Sequence, residues 1–305
     1  MTPTVNPSLS LNLVADLRDL FQFPFMVHAL EAATIVAVLA SVVGWYVVLR
    51  RQAFAGHTLS VMAFPGAAGA ALAGWPAALG YYVACAAAAL AMAGTGPAVG
   101  RHKSVASAVI ATVQITGLAA GFLFLSLNHQ ILVGLETLLF GTFLGVSSSQ
   151  VLVLLAVAAS LLAVTALIAR PLHFCTLDPE VARARGVPVR ALDVCFLLIL
   201  AFAVAATSQI TGALLTFALL VAPPAAAQLI TGRTLAGLVV SVAIALVVAW
   251  LGLAAAYFSI YPAGFYVTTF ALAAYVLAWT ARAARGRLAA RRRTRLPSAG
   301  VLESG

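Results

Sequence analysis

Residues 177–188 read Leu177-Asp178-Pro179-Glu180-Val181-Ala182-Arg183-Ala184-Arg185-Gly186-Val187-Pro188. The side chains predict a helix of about two turns with both ends specified. Asp178 suits the N-cap, where its carboxylate accepts from free N–H groups, and Pro179 suits the first helical position, whose N–H has no intrahelical partner. Glu180 stands at the positive end of the helix dipole and Arg183 and Arg185 at the negative end, while Gly186 and Pro188 stop the helix. The chain on either side is apolar for a membrane thickness, so this is a capped helix between two spans. A helix so placed either lies on lipid headgroups or presses on a partner.

Sixteen of the seventeen Lys and Arg residues fall in five clusters: Arg50 and Arg51, Arg101 and Lys103, Arg170 to Arg190, Arg233, and Arg282 to Arg295. Hydrophobic residues make up 63% of the chain and charged residues 8%, against roughly 25% charged in a soluble domain. The bilayer is therefore the expected solvent. A span needs about 20 mostly apolar residues, and the qualifying stretches are 27–49, 57–74, 77–94, 104–125, 150–169, 193–209, 211–230, 234–257 and 264–281. These predict an all-α, polytopic transmembrane bundle of about nine spans. Nine crossings place every basic cluster on the cytoplasmic side, with the N-terminus outside and the C-terminus inside. A crossing at 131–146 would put Arg170 to Arg190 outside, so that segment is expected to be re-entrant or to lie on the surface. Tight hairpins are expected around Trp75-Pro76 and Gln209-Ile210. Small residues four apart, such as Gly117 and Gly121 or Gly141 and Gly145, predict close helix packing in lipid.

Three parts are expected: an external lead-in over 1–26, a transmembrane domain over 27–284 with its main cytoplasmic loop at 170–192, and a basic, disordered tail over 285–305. The lead-in lacks an early positive region and carries Pro3, Pro7 and Pro24, so it does not read as a cleaved signal peptide. The basic residues sit at span ends or in the tail, which accounts for the net charge of +9 through orientation and excludes a nucleic-acid face. Cys85, Cys175 and Cys195 show no CxxC spacing and suggest neither a disulfide framework nor a cysteine zinc site. No GxxxxGK[ST], HExxH or GxSxG occurs, so neither a P-loop nor a familiar hydrolase site is expected.

Five blocks carry a family resemblance. They are Phe25-Met26 with Ala29-Leu30 and Gly44 through Arg50-Arg51; Leu59-Ser60 with Pro65-Gly66; Leu139-Phe140-Gly141 with Leu144; the capped loop ending at Gly186; and Gly212-Ala213-Leu214-Leu215 through Leu219-Leu220-Val221-Ala222-Pro223 and Ala225. In this order and spacing, from about Pro24 to Trp279, the chain resembles the membrane permease subunit of zinc and manganese ABC importers. The resemblance implies a type II ABC-importer-like fold in a bacterial cytoplasmic (inner) membrane. It implies a homodimer, a cytosolic ABC ATPase docked on each copy, an extracellular or periplasmic metal-binding protein, and a divalent metal ion as cargo with no stably bound cofactor. Asp178, Pro179, Glu180, Ala182, Arg183, Arg185 and Gly186 would then form the coupling helix. ATP hydrolysis would belong to the separate chain.

The chain departs from the family where the ion is thought to pass. An acid and a histidine four residues apart are replaced by His57 and Val61, and Thr142 stands where an acid often follows Leu-Phe-Gly. Ionisable residues within a membrane are costly and are functional candidates by default. His57 is therefore the candidate metal ligand, and Glu31, Glu136, Gln114 and Ser60 are candidates for the path. Imidazole in place of carboxylate favours zinc over manganese. Two other readings are a permease for a metal chelate of siderophore or cobalamin type and a stand-alone secondary transporter. The latter normally carries paired charges near mid-bilayer, where these spans have almost none.

Overall fold

The computed structural model describes residues 21–94, 103–127, 141, 145–259 and 261–293. Among them the chain forms nine α-helices and no strand: α1 (Pro24–Leu49), α2 (Ala53–Leu72), α3 (Ala77–Gly94), α4 (Lys103–Leu127), α5 (Ser148–Leu177), α6 (Pro179–Ala184), α7 (Val189–Ile230), α8 (Thr234–Tyr257) and α9 (Ala263–Arg293). The all-α expectation holds. Within the expected re-entrant segment, 131–140 and 142–144 lie outside the described residues, and with them Glu136 and Thr142.

Among the described residues, seven segments are long and apolar enough to cross a membrane: α1, α3, α5, α8, and parts of α4, α7 and α9. The expected count of nine included two that fall short of that standard. α2 has 20 residues, but they are largely Ala and Gly with Ser, Thr and His, whose small or polar side chains carry little hydropathy. The stretch Leu215–Ile230 of α7 is apolar but short, about 24 Å at 1.5 Å per residue against a hydrocarbon core of about 30 Å. Both are mainly buried among other helices, so lipid does not set their composition.

α7 forms the centre, packing against α1, α2, α3, α5, α8 and α9. Its 42 residues would run about 63 Å if straight, roughly twice the hydrocarbon thickness. The helix breaks instead at Gly212, where φ is 74° and ψ 164°. Where a tight hairpin was expected around Gln209-Ile210, the structure has a kink, placed at the residue that tolerates the conformation. α1 is the other central helix, with two-thirds of its most apolar window buried, whereas α4 buries 11% of its own and lies at the edge against α2. Side chains such as Ile115, Leu167, Leu235 and Leu277 are exposed and form the apolar outer surface.

Where helices touch, side chains are missing. A Cβ on Gly66 would lie 2.3 Å from the carbonyl oxygen of Gly80, and one on Gly80 2.1 Å from that of Gly66. The α2–α3 hairpin therefore closes backbone to backbone, the contact that supplies dispersion energy where apolar surroundings give no hydrophobic drive. Gly117 and Gly121 of α4 admit Met62 and Phe64 of α2 in the same way.

Three helix ends share one device. After α1, α2 and α6, a residue with positive φ occupies C′: Arg51 at 56°, Gly74 at 70° and Gly186 at 78°. In each, the next two N–H groups turn back to the helix carbonyls; for α1 these are Arg51 to Val48 at 3.0 Å and Gln52 to Val47 at 2.8 Å. This pairing satisfies carbonyls that the helix end leaves open. α9 runs on to Arg293, so the tail expected to be disordered from residue 285 is helical over its first part; Arg and Ala are good helix formers.

Candidate functional site

His57 lies one turn into α2, and its ring meets that of Phe217 on α7 edge-on, with centroids 4.8 Å apart and planes inclined by 64°. Its Nδ1 is buried and has no hydrogen-bond partner among the described residues. The adjacent Thr58 is fully buried and points elsewhere, donating from Oγ1 to Oε1 of Gln114 on α4 at 3.0 Å. Neighbouring helical residues stand about 100° apart, so His57 serves the α2–α7 contact and Gln114 the α2–α4 contact. Ser60, 1% exposed, donates within its own helix to the carbonyl of Gly56 at 3.0 Å, the usual resort of a mid-helix hydroxyl in apolar surroundings. Glu31 is exposed near the start of α1 and pairs with His28 at 3.3 Å. Among the described residues, the predicted path residues Glu31, His57, Ser60 and Gln114 thus make separate contacts. Among the described residues no three His, Cys, Asp or Glu side chains are grouped to hold a metal ion.

A polar cluster that the sequence reading missed surrounds the break in α7. Thr207, Ser208, Thr211 and Thr216 are each 1% exposed or less. The hydroxyls of Thr211 and Thr216 are 2.6 Å apart, Ser208 donates to Thr216 at 3.2 Å, and Thr216 donates to the carbonyl of Gly212 at 2.9 Å. Residues 208 and 216 would stand about 12 Å apart along a straight helix, so their bond shows how sharply the halves bend toward each other. Gly141 presses on the same point: a Cβ there would fall 2.3 Å from the carbonyl oxygen of Ile210 and 2.7 Å from the nitrogen of Gly212. The hydroxyls bond one another and the carbonyls of Thr207 and Gly212, so that these buried polar groups are satisfied, as burial requires. Four hydroxyl residues flanking one glycine were the signal available in the sequence.

α6 carries the ends read from its sequence. The Asp178 carboxylate accepts from the N–H groups of Glu180 at 3.2 Å and Val181 at 3.0 Å, and Pro179 opens the helix. At the other end Gly186 donates to Arg183 at 2.9 Å and Val187 to Ala182 at 3.0 Å. Ala182 is fully buried against Cys175, Val189 and Leu192, while Glu180, Arg183 and Arg185 are exposed. The helix thus rests on the end of α5 and the start of α7 by one small side chain and presents its charges outward. Asp178 also ends α5, which therefore extends past residue 169, where its span was expected to stop.

Contacts draw three basic clusters to the same end of the bundle. Arg50 bonds Thr176 and Asp193, on either side of α6, and His173 approaches Thr234, next to Arg233, at 3.5 Å. A protein-family model described as the ABC 3 transport family matches residues 22–282. The chain belongs to that family.

Within the ABC 3 transport family, this chain is 29% identical over 281 residues to the chelated iron transport system membrane protein YfeC of Yersinia pestis, covering 90% of this chain and 92% of that one. It is 29% identical over 223 residues to the manganese transport system membrane protein MntC of Halalkalibacterium halodurans, covering 73% and 75%. Its fold is similar to a chain of PsaBC from Streptococcus pneumoniae in complex with Fab, at a TM-score of 0.76 and 23% identity over 87% of this chain and 95% of that one. It is also similar to an inward-facing metal-chelate type ABC transporter, at a TM-score of 0.68 and 14% identity. The expected helical, ABC-permease-like fold is therefore found, and in it the third and fifth sequence blocks meet at Gly141 and Gly212.

Proposed function

We propose that this chain is the membrane permease subunit of an ATP-driven importer of a divalent transition-metal ion, and that it works as a homodimer. Each copy docks a cytosolic ATPase through α6 and receives the ion from an external binding protein. The observation that carries the reading is the family match across residues 22–282, joined to an α6 whose charged side chains are free to meet a partner. Relatives named for manganese and chelated iron support a metal cargo.

For the cargo itself we favour zinc. His57 offers an unpartnered, buried imidazole nitrogen where the family uses a carboxylate, and zinc accepts imidazole readily while manganese prefers oxygen. A single imidazole nitrogen makes a weak site, which suits rapid transit. Uptake into vesicles reconstituted with the cognate ATPase and binding protein tests this: ATP-dependent zinc uptake is expected, and faster manganese than zinc uptake would refute the choice of ion. Similarity to a metal-chelate type transporter favours a second reading, in which the ion travels inside a chelate. Uptake of a chelate in preference to the free ion would establish it.

A further inference from the structure

Arg50 and Arg51 are adjacent in sequence and opposite in environment. Arg51 is exposed and by itself supplies a positive charge at the end of α1 for orientation. The Arg50 side chain is 9% exposed. Its Nη2 donates to Oδ1 of Asp193 in an ion pair, its Nη1 to Oγ1 of Thr176 at 3.4 Å, and its guanidinium lies 5.1 Å from the ring centroid of the fully buried Phe196. Thr176 donates its own proton to the carbonyl of Leu172 at 2.6 Å, leaving lone pairs for the arginine. A guanidinium can serve these contacts together because it is planar and carries several donors in a fixed fork.

Membrane orientation does not explain this burial. The Asp193 side chain is 43% exposed, so it is the guanidinium whose desolvation offsets the attraction, and the best-attested use of a buried charge held this way is to fix register between elements. Here the elements are those that hold α6. Thr176 stands two residues before Asp178, the N-cap of α6, while Asp193 and Phe196 lie in the first two turns of α7, just after the Gly186–Pro188 exit. Arg50 caps α1, the helix packed against α7, α8 and α5. From these contacts we infer that Arg50 and Asp193 are positioning residues that carry the movement of α6 into α1. A displacement of α6 shifts Thr176 and Asp193 together, and the guanidinium clamped between them takes the end of α1 along. The inference rests on the proposed function, since it requires an ATPase that moves α6.

The test measures ions carried per ATP hydrolysed by the reconstituted complex of permease, ATPase and binding protein. Asp193→Asn is expected to lower that ratio at least threefold with hydrolysis maintained, and Asp193→Glu to restore most of it. Arg50→Lys keeps the charge and the ion pair, so the protein should assemble, but an ammonium cannot reach Thr176 and stack on Phe196 at once; a twofold or greater fall is expected. A wild-type ratio in Arg50→Lys or in an assembled Asp193→Asn complex overturns the inference, because a purely structural pair would lower the unfolding temperature and leave the ratio alone. If the wild-type complex itself shows no ATP-driven uptake, the proposed function fails instead, and the two failures are distinct.

Discussion

His57 on α2 and Phe217 on α7 meet ring to ring, edge against face, with centroids 4.8 Å apart. The contact joins the histidine proposed as metal ligand to the shorter half of the broken central helix. A bend at Gly212 that moves Phe217 therefore changes what surrounds the imidazole. His57→Ala is expected to lower zinc uptake severalfold at unchanged membrane abundance, measured with radioactive zinc in reconstituted vesicles. Unchanged flux would remove His57 from the path.

The ends of α6 supply a second prediction. Gly186 has a φ of 78°, and a Cβ there would meet nothing within 4 Å, so the cost of a side chain is conformational alone. Gly186→Val should strain the helix exit by about 1–2 kcal/mol, and Glu180→Lys should set a positive charge at the wrong end of the dipole. Both are expected to reduce uptake while ATP hydrolysis continues. Wild-type uptake and ATPase stimulation in both variants would count against a coupling role.

The closure of α2 on α3 has no slack. Gly66→Ala places a methyl group against the Gly80 carbonyl, and overpacking of this kind typically costs about 1–3 kcal/mol. A lower thermal midpoint in detergent is expected. Gly74→Ala near the same hairpin meets no steric obstacle and isolates the smaller penalty of positive φ.

Arg51 occupies, with a φ of 56°, a position that its counterparts Gly74 and Gly186 fill with glycine. Arg51→Gly should relieve roughly 1 kcal/mol of backbone strain, partly offset by the greater freedom of glycine in the unfolded chain. A raised midpoint, with Arg51→Val lowered, is the expected pair of results. A lowered midpoint for Arg51→Gly would show that its side chain matters more than its backbone.

Orientation can be read by labelling single cysteines in intact cells with an impermeant reagent. Ser148→Cys, at the start of α5, is expected to react, and Asp178→Cys and Arg287→Cys are not. External reaction at 178 or 287 would overturn the proposed topology.

The sequence alone determined where the apolar helices lie, though not how far α5 and α9 extend, and where α6 begins and ends. Helix caps depend on a few neighbouring side chains, so Asp178, Pro179 and Gly186 can be read without knowing what surrounds them. Long apolar runs between charge clusters are equally local, because lipid acts on each residue in turn. Tertiary structure decided the rest. Whether Gln114 faces His57 depends on which helix lies on each side of α2, and no spacing in one helix contains that. The hydroxyls around Gly212 became a cluster only when the break brought Ser208 to Thr216. Arg50 and Arg51 are the same residue type one position apart; one is exposed and the other buried against Asp193 and Phe196, because only the assembled bundle supplies partners that offset the cost of desolvating a charge.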